Sequence, residues 1–412
     1  MAQQAQGFHW HPEAQLYAGH AALAPQPRTA PQGFIAIPAQ PTDHALQMLG
    51  QAMASGDSFC VHGGERPTGM AAQHPDFITL TGGSSGQPKA ILRSQKSWVA
   101  SFNINAALFE YHRSDSIAVL GALSHSLALY GILEALHLGL NAHALDALSP
   151  TRQRQHLQAA KVSVLYATPT QLRLLGAGAK QQTLPDLRLV LCGGGALDAN
   201  ARAMVQALCP QARIHVFYGA AETSFITLSG PDTPETSVGK PYPEVQLRIL
   251  DPTGQATKGI GEVWVKSPYL FKHYMRGTSA DTQWRDGFLS VGEMGQLDAT
   301  GTLTLTGRKS RMISIADQNV YPEQIEAFIT GLADNLPCAV LARPDPLRGH
   351  HLVAVVQAPA DPDLGDQILR RCRAAFGALC APKKLLFHPS LPLLGGGKVD
   401  LIQLAAWAED QR

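Results

Sequence analysis

The chain has 412 residues, 45% of them apolar and 16% charged. That length supports a buried core and corresponds to about 2.7 domains of ordinary size. Thirty-three Lys and Arg against 32 Asp and Glu leave a net charge of +1, which excludes wholesale disorder and a general electrostatic grip on nucleic acid. Six cysteines with no C-x-x-C pair predict a reduced, intracellular protein without a structural zinc site.

The opening residues lack a basic segment followed by an apolar one, so no secretory signal is expected and the location predicted is cytoplasmic. Residues 1–45 are rich in Ala, Gln and Pro, with Pro25, Pro27, Pro31, Pro38 and Pro41 closely spaced, and predict an extended N-terminal arm. Residues 77–80 predict a short strand, followed by a Gly/Ser turn and a helix from about Ser94 with Trp98, Phe102, Ala106 and Phe109 at helical spacing. Strand and helical runs then alternate: strand 117–120, helix from Tyr130, strand 162–167, helix from Thr170, strand 187–192, helix from Asp198, strand 214–218. The most apolar region, 117–145, is broken by Ser124, His125, Ser126, His137, Asn141 and His143, which predicts no membrane-spanning helix.

Such alternation predicts an α/β fold with layered, mostly parallel sheets. From Glu244 the rhythm becomes strand–turn–strand around Asp251-Pro-Thr-Gly254 and Asp298-Ala-Thr-Gly301. A final segment has strands near 339–342 and 352–357 and a helix ending near Phe376. The expected organisation is an arm (1–45), a large N-terminal domain (46–308), a hinge (309–311) and a small mobile α+β C-terminal domain (312–412).

The first chemical motif is Thr81-Gly82-Gly83-Ser84-Ser85-Gly86-Gln87-Pro88-Lys89. Glycines let backbone N–H groups turn toward an anion, the serines add hydroxyl donors, and Lys89 adds charge. Gly82-x-Ser84-x-Gly86 also fits the nucleophile elbow of a serine hydrolase, with Ser84 as nucleophile. Pro88 falls where the elbow's helix should already be hydrogen-bonding, which counts against that reading. No Walker A pattern can be laid on the loop, and a plain glycine-rich surface turn is the bland alternative.

Further motifs follow in order: Tyr218-Gly219-Ala220-Ala221-Glu222-Thr223, Asp286-Gly287-Phe288 leading to Gly292-Glu293, Gly307-Arg308, Asn319-Val-Tyr-Pro-Glu323-Gln-Ile-Glu326, and Leu391-Pro-Leu-Leu-Gly395-Gly-Gly-Lys398-Val-Asp400. With these the sequence resembles the adenylate-forming superfamily of acyl-CoA synthetases, peptide-synthetase adenylation domains and luciferases, in order from about residue 76 to 403. The resemblance implies that ATP activates a carboxylic acid as an acyl-adenylate, with Mg²⁺, and that a thiol then takes the acyl group. The thiol is CoA or the phosphopantetheine of an acyl carrier protein.

By the same resemblance, Thr81, Gly83, Ser84, Ser85, Gly86 and Lys89 hold the leaving phosphates, and Tyr218 stacks on adenine beside Gly193, Gly194, Gly195 and Ala196. Gly219 and Ala221 belong to the Tyr218 motif, and Glu222 helps hold the metal. Glu293 stands where the family has an Asp on the ribose hydroxyls, and Arg308 matches a ribose-contacting Arg. Lys398 bridges the acyl carboxylate and the α-phosphate, where a cation offsets developing charge. His125 matches a motif at the mouth of the acyl pocket, with a buried structural histidine as the competing reading.

Departures from the family pattern are Gly82, Ala221, Glu293, Ser310 at the hinge, and Asp317, which stands where a glycine admits the thiol arm. Only about 80 residues precede the phosphate loop, so part of the family's first subdomain is expected to be absent, and a degenerate, non-catalytic binding protein is a further reading. The acyl pocket is expected from the helix carrying Trp98 and Phe102, the region of His125, and 193–221. Its apolar lining implies a fatty or aromatic acid.

Overall fold

The computed structural model describes residues 7–25, 29–64, 66–81, 88–179, 182–234, 236–316, 318–332, 336–393 and 399–411. Their largest unit is a nine-stranded sheet. Across it lie Lys240–Pro241, Ser224–Ser229, Arg213–Ala220, Leu189–Gly193, Val164–Ala167, Ser116–Val119, Asn141–Ala144, Leu16–Ala18 and Ala21–Leu23, in that order. The six strands from Arg213–Ala220 to Leu16–Ala18 pair in parallel, while both edges are antiparallel. Four of the central strands are buried at every position, apart from Asn141 at a strand start, as expected of parallel strands covered on both faces.

The helix Ser126–Leu138 covers one face through Leu129, Ile132, Leu133 and Leu136. On the other, Leu157, Leu172, Leu175, Val205 and Leu208 come from the helices Pro150–Ala159, Pro169–Gly176 and Ala199–Leu208. Local chemistry sets these helix starts. Thr168 and Gln171 form a reciprocal capping box ahead of Pro169, and Asp198 accepts the N–H of Ala201, satisfying donors that a first turn leaves free.

A second sheet orders His273–Arg276, Lys89–Ser94, Asp76–Thr81, Ser58–His62 and Phe34–Pro38, with the helix Thr42–Ser55 as crossover between the last two. A third, antiparallel, contains Gln246–Leu250, Gly261–Lys266, Phe288–Leu297, Gln283–Arg285 and Leu303–Arg308. Its Asp251 and Asp298 turns form as expected: each carboxylate accepts the N–H groups two and four residues on. The C-terminal part pairs Cys338–Asp345 with Gly349–Gln357 and the latter with Lys384–His388. Helices Pro322–Leu332, Pro362–Cys380 and Leu401–Glu409 pack around it. Non-helical Gly377 breaks the middle helix at the predicted Phe376 end.

The α/β architecture with a large sheet domain and a small C-terminal domain is therefore present. The N-terminal stretch, expected as an arm, differs. Leu16–Ala18 pairs with Asn141–Ala144, Phe34–Pro38 pairs with Ser58–His62, and Phe8 enters the aromatic core. Pro25, Pro31 and Pro41 sit between elements, so they punctuate the strands without interrupting them. No helix among the described residues is long and apolar enough to cross a membrane.

Candidate active site

The loop 82–87, with Gly83, Ser84, Ser85 and Gly86, lies outside the described residues, but its flanks are fixed. Thr81 and Lys89 are Cα partners in an antiparallel pair, and the second strand runs on to Ser94 before the helix Gln95–Leu108 begins. The strand Lys89–Ser94 was not foreseen. Its presence removes the hydrolase reading, because a nucleophile elbow needs strand, turn and immediate helix. The two flanking strands instead pair antiparallel as the arms of a hairpin.

That hairpin delivers Arg93, which sequence reading missed. Its side chain is fully enclosed, with the residue 1% exposed, and it donates to the carbonyls of Ala221 and Tyr269 and the hydroxyl of Ser224. Burial pulls its guanidinium down to about 10, and the charge of nearby Glu222 opposes that shift. Arg93 thus pins both ends of the turn 221–224 that presents Glu222. Gly219 makes the turn possible: a Cβ there would lie 1.8 Å from the carbonyl oxygen of Ser224.

Glu222 is half-buried and accepts a 2.6 Å hydrogen bond from the hydroxyl of Tyr274. Tyr274 in turn lies 2.9 Å from the hydroxyl of Thr282 and has the Lys89 ammonium 5.5 Å from its ring centroid. The glutamate therefore stands one side chain away from the mouth of the hairpin. Among the described residues no cation lies within ion-pair distance of it, and no group of three or more His, Cys, Asp or Glu could hold a metal by itself. A magnesium ion fits this donor set only if phosphate oxygens and water supply most of its ligands, which is its ordinary preference.

Beside this turn is an open ledge. Gly194, Gly195 and Ala196 follow the end of Leu189–Gly193 and are exposed. Tyr218 comes from the neighbouring strand. Its hydroxyl is buried and has no hydrogen-bond partner among the described residues, and burial, reinforced by the charge of Glu293, holds the phenol well above its usual range. Glu293 and Arg308 are Cα partners on adjacent strands, 3.1 Å apart at their charged atoms.

The remaining predicted residues divide. His125 is exposed at the start of the helix Ser126–Leu138, which removes the buried structural reading. Trp98 and Phe102, expected to line the acyl pocket, are 3% and 0% exposed and pack against Phe8, Phe77 and Tyr130. They belong to the core. Lys398 and Asp317 lie outside the described residues.

Residues 21–275 match the AMP-binding enzyme family, and residues 324–398 match the AMP-binding enzyme C-terminal domain. Over 344 residues the chain is 31% identical to an uncharacterized acyl–CoA ligase, YhfT, of Bacillus subtilis, covering 82% of this chain and 70% of that one. A 2-succinylbenzoate–CoA ligase of Enterococcus faecalis is 28% identical over 331 residues, 78% of this chain and 67% of that one. In fold, the chain resembles o-succinylbenzoate CoA synthetase (MenE) of Bacillus subtilis, solved with its acyl-adenylate OSB-AMP. The TM-score is 0.73 at 19% identity, over 92% of this chain and 88% of that one.

Proposed function

The chain belongs to the family of AMP-binding enzymes, and on that premise we propose that it is an AMP-forming acid–CoA ligase. A carboxylate oxygen attacks the α-phosphorus of ATP, the bond to the bridging oxygen breaks, and pyrophosphate leaves. The CoA thiolate then attacks the acyl carbon and AMP leaves. The observation that carries this reading is the half-buried Glu222 carboxylate, one side chain from Lys89 and held by a neutral hydroxyl.

Each residue then has a task. Thr81, Gly83, Ser84, Ser85, Gly86 and Lys89 take the β- and γ-phosphates. Gly194, Gly195 and Ala196 leave the ledge open to adenine, on which Tyr218 packs, while Gly219 and Ala221 shape the turn beneath. Glu293 accepts from the ribose hydroxyls, with Arg308 fixing its carboxylate. Glu222 contributes an oxygen to Mg²⁺, whose charge would offset that of the leaving pyrophosphate. Lys398 spans the acyl carboxylate and the α-phosphate, and His125 stands at the acyl entrance.

We place the hinge at 309–311. Lys309 is anchored to Glu262 at 3.0 Å and Arg311 to Glu326 at 2.7 Å, so Ser310 separates side chains tied to different parts of the protein. ATP and CoA are both cytoplasmic metabolites, which supports the cytoplasmic location. The test is pyrophosphate release from ATP across a panel of carboxylic acids, followed by thioester formation with CoA. Tight ATP binding with no release for any acid would support the non-catalytic reading instead.

A further inference from the structure

The aromatic residues beside the ledge bear on which acid fits, if the ligase reading holds. Phe217 is the Cα partner of Gly193 on adjacent parallel strands, so the two residues present the same face. A Cβ on Gly193 would lie 2.2 Å from Phe217 Cζ, which means the ring lies across the glycine at the root of the ledge. Phe225 backs it edge-on at 4.9 Å. Phe225 is in turn wedged between Tyr130 at 5.3 Å and Tyr242, stacked at 4.7 Å. Tyr130 meets Trp98 at 5.2 Å and Phe102 at 5.0 Å. Rings are therefore in contact all the way from the ledge to Trp98 and Phe102, the residues expected to line the acyl pocket.

Beyond the rings the core turns polar. The hydroxyl of Tyr130 lies 2.7 Å from that of Ser101, and the carboxyl of Glu134, 0% exposed, accepts from Asn105 and Tyr166 at 2.7 Å each. An alkyl tail driven past Phe217 would have to separate packed rings and then meet a buried hydrogen-bonded network.

We propose that Phe217 is the floor of the acyl pocket and restricts the enzyme to compact carboxylic acids, a short aliphatic chain or a single ring, against long-chain fatty acids. Only the part of the acid above the ring then contributes binding, and each methylene forced against the floor gains nothing.

The experiment is kcat/KM for pyrophosphate release with benzoate, propionate, butyrate, hexanoate, octanoate and decanoate, in the wild type and in Phe217→Ala and Phe217→Leu. The ATP KM of each variant reports whether the ledge is intact. The wild type should use benzoate or the shortest chains best, and among the aliphatic acids should favour propionate and butyrate and fall steeply by octanoate. Phe217→Ala should move the optimum to longer acids, by about fourfold in relative kcat/KM per added methylene accommodated, with Phe217→Leu between. Equal use of decanoate and butyrate by the wild type overturns the proposal. So does an unshifted profile in either variant with a normal ATP KM. No release with any acid from an ATP-binding wild type overturns the ligase reading itself, and this inference with it.

Discussion

Tyr274 donates its hydroxyl hydrogen to Glu222 Oε1 across 2.6 Å, joining residues 52 positions apart in the chain. Thr282 completes the arrangement at 2.9 Å from the same hydroxyl. Burial and the neighbouring carboxylate hold the phenol above its usual range, so it stays a donor throughout the physiological pH range. Tyr274→Phe keeps the ring under Lys89 and deletes only that donor. A hydrogen bond to a charged group contributes about 1.5–3 kcal/mol, so the KM for MgATP should rise about tenfold or more with the urea unfolding midpoint little changed. An unchanged KM would detach Glu222 from nucleotide binding.

Glu293 and Arg308 predict an effect on ATP alone. Their charged atoms are 3.1 Å apart, with the glutamate side chain mostly buried and the arginine half-exposed. Glu293→Ala removes the acceptor assigned to the ribose hydroxyls and releases Arg308. ATP affinity, measured by calorimetry without acid, should fall about tenfold or more. Glu293→Asp should recover part of the loss. Affinity indifferent to the alanine change would refute the ribose assignment.

Arg93 predicts coupled losses of stability and function. Its planar fork serves two backbone carbonyls and a hydroxyl at once, a geometry a lysine ammonium does not reproduce. Arg93→Met strands the buried carbonyl of Tyr269, at about 1–3 kcal/mol, and takes a donor from the partly buried carbonyl of Ala221. Unfolding free energy in urea should drop by about 2 kcal/mol. Arg93→Lys should be milder in stability yet still raise the KM for MgATP, because the turn carrying Glu222 loses one of its two fixed ends.

Glu134 predicts a pH dependence of stability. Burial pushes its carboxyl up to about 7 from 4.5, against the pull of hydrogen bonds from Asn105 and Tyr166. Between those values the folded chain binds a proton that the unfolded chain has lost. Stability from this group is therefore fully present below 4.5, falls as pH rises through the window, and levels off above 7. The whole change is about 3 kcal/mol. Glu134→Gln abolishes the titration, so the loss of unfolding free energy between pH 5 and pH 8 should shrink by about that order. Identical pH profiles for the two proteins would show that Glu134 does not titrate as stated.

The parallel sheet was legible because its strands are unbroken apolar runs and its helices begin near the positions the sequence marks, Asp198 for example, whose carboxylate accepts the N–H of Ala201. Strand Lys89–Ser94 was not, since a lysine and an arginine bracketing three small or apolar residues do not look like a buried strand. Only the three acceptors brought by Ala221, Ser224 and Tyr269 make Arg93 tolerable inside. The N-terminal strands were hidden for a related reason: each is short and pairs with residues far along the chain, Leu16 with Ala142 for example. Tyr218, Glu222, Glu293 and Arg308 came from ordered motifs, whereas Tyr274 carries no local signal that it faces a glutamate. Trp98 and Phe102 have the right spacing for a pocket wall, but spacing alone does not separate a wall from a core, and here the core claimed them.

The two half-reactions should separate at Lys398 and Asp317. Lys398→Ala should lower adenylate formation by roughly 10²–10³, the typical effect of removing one preorganised electrostatic contact, while ATP binding persists. Asp317 follows Ala316 between Ile315 and Gln318, which are paired across a hairpin. Circular dichroism and the urea unfolding midpoint check that Asp317→Gly folds. In the family pattern a glycine there admits the thiol arm, and an aspartate adds bulk and negative charge against an anionic acceptor. Asp317→Gly should therefore raise the thioester rate with CoA and leave pyrophosphate release unchanged. Its advantage should grow as ionic strength falls, since charge repulsion is then less screened. Each half-reaction is measured alone, with free CoA and with a phosphopantetheinylated carrier protein. Equal thioester rates for wild type and variant with both acceptors would show that the side chain at 317 does not face the incoming thiol.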